Sequence, residues 1–573
     1  MNDLAVLVTS RLQRAFDTLE VGADPVLRAS DRADYQANGA LALAKRLGRN
    51  PRELATVIVD AADLDDLCSH VEIAGPGFVN LTLRDDTIAA TVGKMRQDMR
   101  LGVPTIEAPE VVVIDYSAPN VAKEMHVGHL RTTIIGDALA RILGFLGHTV
   151  IRENHIGDWG TPFGMLIEHL LALGETEGAA ELSMGDLNGF YQQARRQFDD
   201  SPVFAERSRA RVVALQAGDP ETMRLWHLLV EQSAAYFQSV YDRLGVLLTP
   251  DDIVGESAYS AMLPAVVEDL DALGLLVSSD GARCVFPPGF TNRDNEPLPL
   301  IVQKTDGGYG YAATDIATVR DRVDRLDATW ILFCVGAPQA QHLQMVWTVC
   351  RMAGWLPSAV RVEHVANGNV FGSDGKLLRT RSGTTLRLVD LLDEAVVRAG
   401  EVLTTRGNLP EGINFEVLAR QIGIGALKYA DLSTDRASDY QFDWDRMLSF
   451  DGNTAPYLQY AHARIQSIFV RAGVEPSSLT APVIVAEPTE RGLALKLLGF
   501  TAAVADTVDK LSPHRLCNYL YDLASTFTSF YEACPILKTT TETRESRLKL
   551  CDLTARTMAT GLDLLGIATP DRM

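Results

Sequence analysis

Residues 111–154 constrain the fold more than any other part of the sequence. They open with a run of β-branched residues, 111–114, which is typical of a strand buried on both faces. Apolar residues then recur at helical spacing up to Gly144 and Gly147, which we expect to end a helix, and 149–151 predicts a second strand. Strand, helix and strand in this order form a βαβ unit of a parallel sheet. We therefore predict an α/β, Rossmann-like, doubly wound fold.

The connection between the first strand and the helix contains a cluster of polar residues and a glycine. In a doubly wound sheet this position lies at the carboxyl end of a strand beside a helix N-terminus, where phosphates bind. Two imidazoles three residues apart share one helix face and can reach one phosphate chain, and a glycine leaves room for a flat base. The sequence has neither Gly-x-Gly-x-x-Gly nor a P-loop, which disfavours dinucleotide and ordinary kinase chemistry. The cluster comprises Asn120, Lys123, His126, Gly128 and His129.

A simpler interpretation of the two histidines is that they are incidental, or half of a metal site. Their sequence neighbours include no cysteine and no third ligand at zinc spacing. We therefore predict no metal site formed by protein side chains.

Residues 117–131, Ser-Ala-Pro-Asn-Val-Ala-Lys-Glu-Met-His-Val-Gly-His-Leu-Arg, closely resemble the nucleotide-binding signature of class I aminoacyl-tRNA synthetases, in the form typical of arginyl-tRNA synthetases. The resemblance extends over nearly the whole chain. It implies that the protein activates L-arginine with ATP, accompanied by Mg²⁺, to give arginyl-adenylate and pyrophosphate. The arginyl group then passes to the 3′ terminal ribose of tRNA(Arg), and AMP is released.

Length and composition are consistent with such an enzyme. A chain of 573 residues predicts several domains. The net charge of −21 argues superficially against a nucleic-acid partner, but residues 441–573 carry 13 basic and 15 acidic side chains, so this part can present a local basic face. Seven scattered cysteines, without a signal peptide or an apolar span, predict a reduced, cytoplasmic protein that does not bind a membrane. We expect a monomer.

The chain divides into three predicted domains. Residues 1–108 predict a small α/β domain, joined by a linker at 101–109 to the catalytic domain at 109–440, which contains a largely helical insertion at about 165–300. Residues 441–573 predict a helical bundle. By resemblance, the first domain contacts the corner of the tRNA and the bundle binds the anticodon by stacking unpaired bases. The candidate tRNA-binding residues in the bundle are Tyr460 and Arg464.

Two acidic residues are candidates for binding the arginine side chain. A guanidinium is recognised by planar, charge-assisted hydrogen bonds from fixed carboxylates, which Glu256 and Asp315 can supply. Each could instead be a solvated acid, and Asp315 could simply complement a helix dipole. The sequence Tyr-x-x-x-Asp-Ile-Ala beginning at Tyr311 resembles the arginine-binding motif of the family. The same resemblance implies that Asn120 and Asp115 hold the α-carboxylate and α-ammonium, and that Gln339 lines the pocket.

The mobile loop of class I enzymes usually carries Lys-Met-Ser-Lys-Ser. In this chain the corresponding sequence is Leu-Leu-Arg-Thr-Arg-Ser-Gly at 377–383, which resembles a variation seen in arginyl enzymes. The leaving pyrophosphate still needs a nearby cation. We expect Lys123 to supply it, assisted by Lys376, Arg379 or Arg381. No general base is needed, because positioning and charge stabilisation by groups such as His126 and His129 are sufficient.

Two alternatives to an active synthetase stay open at this point. A small-molecule nucleotidylyltransferase would share the His-x-Gly-His turn but would not need the N-terminal domain or the bundle. A catalytically impaired paralogue that binds tRNA or arginine would be consistent with the altered loop at 377–383.

Overall fold

The computed structural model describes residues 4–20, 22–174, 187–372, 374–378, 386–407 and 412–573. The N-terminal part forms a four-stranded antiparallel sheet, in the order β1-β2-β4-β3, packed on helices. This agrees with the small α/β domain predicted for this part of the chain, although the short strands β1 and β2 were not predicted individually. Its elements are α1 (Leu4–Asp17), β1 (Leu27–Ala29), β2 (Tyr35–Ala37), α2 (Gly39–Leu47), α3 (Pro51–Ala62), β3 (Cys68–Ala74), β4 (Phe78–Leu83) and α4 (Asp85–Gln97).

A parallel four-stranded sheet forms the centre of the next part, as the sequence predicts. Its spatial order is β6-β5-β10-β11, so the chain leaves β5 for β6 on one side and later returns to β10 on the other. The switch point of the sheet therefore lies between β5 and β10. The strands are β5 (Val111–Tyr116), β6 (Thr149–Glu153), β10 (Trp330–Cys334) and β11 (Arg361–His364), and the helices beside them are α5 (Val127–Leu146), α11 (Tyr311–Asp324) and α12 (Ala340–Met352).

Both faces of this sheet are covered, because alternate side chains of each strand enter different hydrophobic cores. Val112 and Ile114 pack in a core that includes Ile134 of α5, whereas Val113 packs with Ile331 and Ile316 on the opposite face. This accounts for the continuous apolar run of β5, which lacks the alternation of a half-exposed strand.

Helix α5 lies directly against β5, and one glycine permits the close approach. A Cβ on Gly136 would lie 2.3 Å from Cβ of Tyr116. The helix ends at Leu146, and Gly147 follows it with a left-handed φ of 98°. The prediction for Gly147 is confirmed, whereas that for Gly144 is wrong, because Gly144 lies within the last turn of the helix.

The segment inserted between β6 and β10 is helical at first, as predicted, and then forms a small antiparallel sheet, β7-β8-β9. Its helices are α6 (Pro162–Leu173), α7 (Leu187–Asp200), α8 (Pro202–Gln216), α9 (Pro220–Leu244) and α10 (Leu263–Ala272), and its strands are β7 (Val277–Ser279), β8 (Ala282–Val285) and β9 (Leu300–Gln303).

The last part of the chain is a bundle of helices, as predicted. Two helices and two short parallel strands connect it to the catalytic sheet: β12 (Val370–Phe371), α13 (Leu388–Arg406), α14 (Phe415–Leu432) and β13 (Tyr440–Gln441). The short helix α15 (Trp444–Met447) follows, and then come α16 (Ala455–Ala472), α17 (Pro488–Leu498), α18 (Phe500–Asp509), α19 (His514–Ala533) and α20 (Thr541–Leu564).

The N-terminal part packs against this bundle through ion pairs. Arg96 contacts Asp552 at 2.9 Å, and Arg491 contacts Asp34 at 2.6 Å. The segment predicted as a linker is packed only at its start, where Leu101 and Val103 are buried, and residues 104–109 are exposed. The two ends of the chain are therefore packed together.

Candidate active site

A cavity of about 810 Å³ opens at the switch point between β5 and β10. It is lined by the polar ends of both strands and by the starts of α5, α11 and α12. Nine residues that the sequence analysis selects line it together: Asp115, Asn120, His126, Gly128, His129, Glu256, Tyr311, Asp315 and Gln339. Residues from four distant stretches of sequence thus meet in one space that is large enough for a nucleotide and an amino acid.

The turn between β5 and α5 has an unusual backbone. Ser117, Ala118 and Ala122 adopt left-handed φ angles of 76°, 48° and 57°, which are unfavourable for residues with a side chain. Side chains from other elements hold the turn in place: the backbone N–H of Ala118 donates to Asn154 and that of Ala122 donates to Ser233, at 3.1 and 3.0 Å. The turn is therefore a fixed feature of the site.

Asn120 lies at the rim of this turn, beside the loop that follows β6. A Cβ on Gly157 would lie 2.2 Å from Oδ1 of Asn120. Gly157 therefore leaves the space that the Asn120 amide occupies at the cavity.

The two imidazoles are fixed at the N-terminus of α5. Nδ1 of His126 accepts from the backbone N–H of Gly128, and Nδ1 of His129 accepts from the backbone N–H of His126, each at 3.1 Å. An Nδ1 that accepts a hydrogen bond is unprotonated, so each neutral ring carries its proton on Nε2 and keeps one donor. The ring centroids are 4.0 Å apart. A Cβ on Gly128 would lie 2.8 Å from the His126 ring, so this glycine also makes room for the imidazole.

Both histidines are neutral at pH 7. Burial and the neighbouring His126 lower the pKa of His129 to about 3, and burial together with Lys123 lowers the pKa of His126. The pair therefore presents two fixed, uncharged N–H donors to the cavity.

Asp115 is the penultimate residue of β5 and is almost fully buried. Its Oδ2 accepts from the guanidinium of Arg322 at 2.7 Å, and Arg322 also donates to Glu153 at 2.6 Å. Oδ1 of Asp115 has no hydrogen-bond partner among the residues that the structure describes. Arg322 was not selected from the sequence, because nothing in its local pattern indicates that it contacts two distant carboxylates.

Glu256 is held at the cavity by its neighbours along the chain. Ser257 donates to the buried carboxylate of Asp158 from its backbone N–H and its hydroxyl, at 2.8 and 2.6 Å. A Cβ on Gly255 would lie 2.1 Å from the same carboxylate, so the chain approaches closely at this point. Burial and the negative charges of Asp315 and Asp158 raise the pKa of Glu256 to about 8.

The other candidate arginine-binding residues lie on neighbouring helices. Tyr311 is the first residue of α11 and is largely exposed, and Asp315 follows one turn later. Gln339 immediately precedes α12. Oδ2 of Asp315 lies 2.6 Å from Nε2 of His342, a residue of α12 that also lines the cavity. His342 was missed, although its position three residues after Gln339 places both on one face of a helix start.

The predicted phosphate-binding cations are less closely grouped. Lys123 is exposed and does not line the cavity, and its ammonium lies 4.6 Å from the centre of the Tyr191 ring. Lys376 is exposed in a turn next to two cavity-lining residues, Leu377 and Leu378. Arg379 and Arg381 lie outside the described residues.

The two candidate tRNA-binding residues lie on α16 of the bundle, and neither lines the cavity. Tyr460 is partly exposed and lies under the guanidinium of Arg406, at 5.0 Å, while the guanidinium of Arg464 lies 4.2 Å from the centre of the Tyr531 ring.

Three further observations concern the whole molecule. Each of the seven cysteines is buried as a free thiol. Within the described parts of the chain, no cluster of histidine, cysteine or acidic side chains could hold a metal ion. Over the same residues, no helix is both long and apolar enough to cross a membrane.

A parallel sheet with two neutral imidazoles at its switch-point helix and a bulky helical bundle behind it defines a class I aminoacyl-tRNA synthetase. Models of three families match the chain: "tRNA synthetases class I (R), catalytic domain" at residues 93–444, "DALR anticodon binding domain" at 458–573 and "Arginyl tRNA synthetase N terminal domain" at 2–83. The chain belongs to the arginyl-tRNA synthetase family, and its activity is the ligation of arginine to tRNA.

Curated relatives and solved structures agree with this assignment. The chain is 58% identical to an arginine–tRNA ligase of Thermobifida fusca, with 100% of this chain and 99% of the relative covered. It is 50% identical to one of Yersinia enterocolitica, with 96% of each covered. The arginyl-tRNA synthetase of Plasmodium falciparum superposes with a TM-score of 0.83 at 28% identity, covering 99% of this chain and 98% of the other. That of Thermus thermophilus has a TM-score of 0.83 at 25% identity, covering 99% and 100%.

Proposed function

We propose that the cavity holds arginine with its guanidinium between Glu256 and Asp315 and with Tyr311 and Gln339 beside it. Two carboxylates that face one space suit a planar guanidinium, which can donate hydrogen bonds to them along two edges. The single observation that carries the proposal is that both acids line the same cavity as the two imidazoles.

The other end of arginine would lie toward β5. The unpartnered oxygen of Asp115 can accept from the α-ammonium, and the amide of Asn120 can donate to the α-carboxylate. Arg322 fixes the orientation of Asp115 by donating to its second oxygen. In this pose the carboxylate of arginine points to the phosphate-binding turn.

ATP would bind with its base near Gly128 and its phosphates at the start of α5, and Mg²⁺ enters with the nucleotide as part of the substrate. The arginine carboxylate attacks the α-phosphorus, and the bond to the pyrophosphate oxygen breaks. Nε2–H of His126 and of His129 would donate to phosphate oxygens, where fixed donors stabilise the developing charge. Lys123, with Lys376, Arg379 or Arg381, would neutralise the leaving pyrophosphate.

A hydroxyl of the 3′ terminal ribose of tRNA(Arg) then attacks the carbonyl carbon of the adenylate, and AMP leaves. We divide the chain into domains at 1–108, 109–440 and 441–573, with an insertion at about 165–300 in the second. We assign tRNA recognition to the first and the last of these domains. The first would contact the tRNA corner, and the last would contact the anticodon through residues such as Tyr460 and Arg464. We propose that the enzyme is monomeric and cytoplasmic. The free thiols of the seven cysteines are consistent with a reducing compartment.

Arginine-dependent exchange between ATP and pyrophosphate tests the proposal, with and without tRNA(Arg) and with lysine, glutamine and cysteine as control substrates. Among the four amino acids, we expect only arginine to support exchange, and only when tRNA(Arg) is present, as the family resemblance implies. Binding of arginine or tRNA without any exchange would instead indicate a catalytically impaired paralogue.

A further inference from the structure

We propose that His342 is a positioning residue that sets the specificity of the arginine pocket by holding the carboxylate of Asp315 through one oxygen. This inference rests on the proposed role of Asp315 in binding the guanidinium. It adds a residue that contacts no part of arginine in that role and acts on the substrate only through its partner.

The geometry of the pair carries the argument. Nε2 of His342 lies 2.6 Å from Oδ2 of Asp315, at charge-assisted hydrogen-bond distance. The two residues start from different helices, α11 and α12, so the bond ties the two walls of the pocket together. Among the described residues, Oδ1 of Asp315 accepts no side-chain hydrogen bond, so this oxygen is left to a ligand.

The surroundings of the pair make such a support necessary. The side chains of Asp315 and His342 are 25% and 32% exposed, so packing alone does not fix the rotamer of the carboxylate. A carboxylate that rotates freely would accept an ammonium as readily as a guanidinium, because an ammonium has no preferred plane. Anchoring one oxygen makes the remaining acceptor directional.

The charged groups around the pocket also support a role for His342. Asp315 on α11 and Asp158 after β6 act on the Glu256 carboxyl, and His342 on α12 contacts Asp315. The hydrogen bond to Asp315 raises the pKa of His342 despite partial burial. An imidazolium at His342 would offset the negative charge of Asp315 in the empty pocket. The pocket would then attract less strongly any cation that lacks the planar fit of a guanidinium.

Two substitutions that differ by one methylene test the role of the ring nitrogen. The amide nitrogen of glutamine reaches the position of Nε2, whereas that of asparagine reaches only the position of Nδ1. We expect H342N to raise the KM for arginine by about 10- to 100-fold, by analogy with the loss of a hydrogen bond that orients a metal-binding side chain. The KM for ATP and kcat at saturating arginine should change by less than about threefold, and H342Q should restore most of the arginine KM.

The exposed residue Gln344 in the same helix provides a matched control, since Q344N makes the same one-methylene change away from Asp315. An arginine KM for H342N within twofold of the wild-type value, or equal impairment of H342Q and H342N, would overturn the inference. D315N separates this failure from failure of the pocket itself. If D315N leaves the arginine KM unchanged, the proposed function of Asp315 is wrong; if D315N raises it and H342N does not, only the role of His342 is wrong.

Discussion

Arginine binding should release a proton, because the empty pocket keeps the Glu256 carboxyl protonated. The pKa of this group is raised to about 8 by burial and by the carboxylates of Asp315 and Asp158. At pH 7 about nine-tenths of the empty sites therefore carry the proton, by the usual titration relation. A guanidinium beside Glu256 favours the ionised form, so the proton leaves when arginine binds.

The direction of the pH dependence of arginine binding follows from the raised pKa of Glu256. A raised pKa means that the binding-competent carboxylate is the minor form below pH 8 and the major form above it. The competent fraction rises from about 0.1 at pH 7 to about 0.5 at pH 8, so the dissociation constant of arginine should fall about fivefold over this interval. Proton release per arginine should fall from about 0.9 to about 0.5 over the same interval.

Isothermal titration calorimetry in buffers of different ionisation enthalpy measures this release directly, with and without saturating tRNA. E256Q is the matched control, because protons that come from arginine or from other groups persist in it. The difference between the wild-type and E256Q values is the contribution of Glu256. Equal proton release by the two proteins at pH 7 would refute the reasoning.

Two further predictions concern catalysis and packing. K123A should lower the rate of adenylate formation by about 10²- to 10³-fold in a pyrophosphate-exchange assay, because it removes a cation near the leaving group; an unchanged rate would contradict the role of Lys123. G136A should lower the thermal unfolding midpoint, since its Cβ would overlap Tyr116 and overpacking typically costs about 1–3 kcal/mol. G144A in the same helix meets no atom within 4 Å and should raise the midpoint, because alanine in a helix is about 1 kcal/mol more favourable than glycine. Calorimetric unfolding of both variants tests this, and a midpoint that G136A does not lower would show that α5 can move away from β5.

Much of the fold was predictable because its signals are local. The run of β-branched residues in β5, the helical spacing of α5 and the turn between them lie within one continuous stretch of sequence. Both histidines cap the N-terminus of α5. The motif around Asp315 likewise proves to be a helix, which begins at Tyr311. Periodicity and capping depend on near neighbours, so a sequence displays them directly.

The limits of local patterns appear at Gly144 and at β1 and β2. Gly144 continues the helix because the tertiary contacts of α5 outweigh the low helix propensity of glycine. The strands β1 and β2 have three residues each, which is too short for alternation to be recognised.

The sequence by itself determined the fold class and the turn that carries the two histidines, because both depend on residue types at short spacing. Glu256 and Asp315 lie far apart in the sequence and were proposed from their chemistry and from the family resemblance. Only the tertiary structure decided which groups support them. Arg322 reaches Asp115 across 207 positions, and His342 reaches Asp315 across 27 positions and a change of helix. Such contacts arise where separate strands and helices converge on one sheet edge, and no periodicity within either segment encodes the partner.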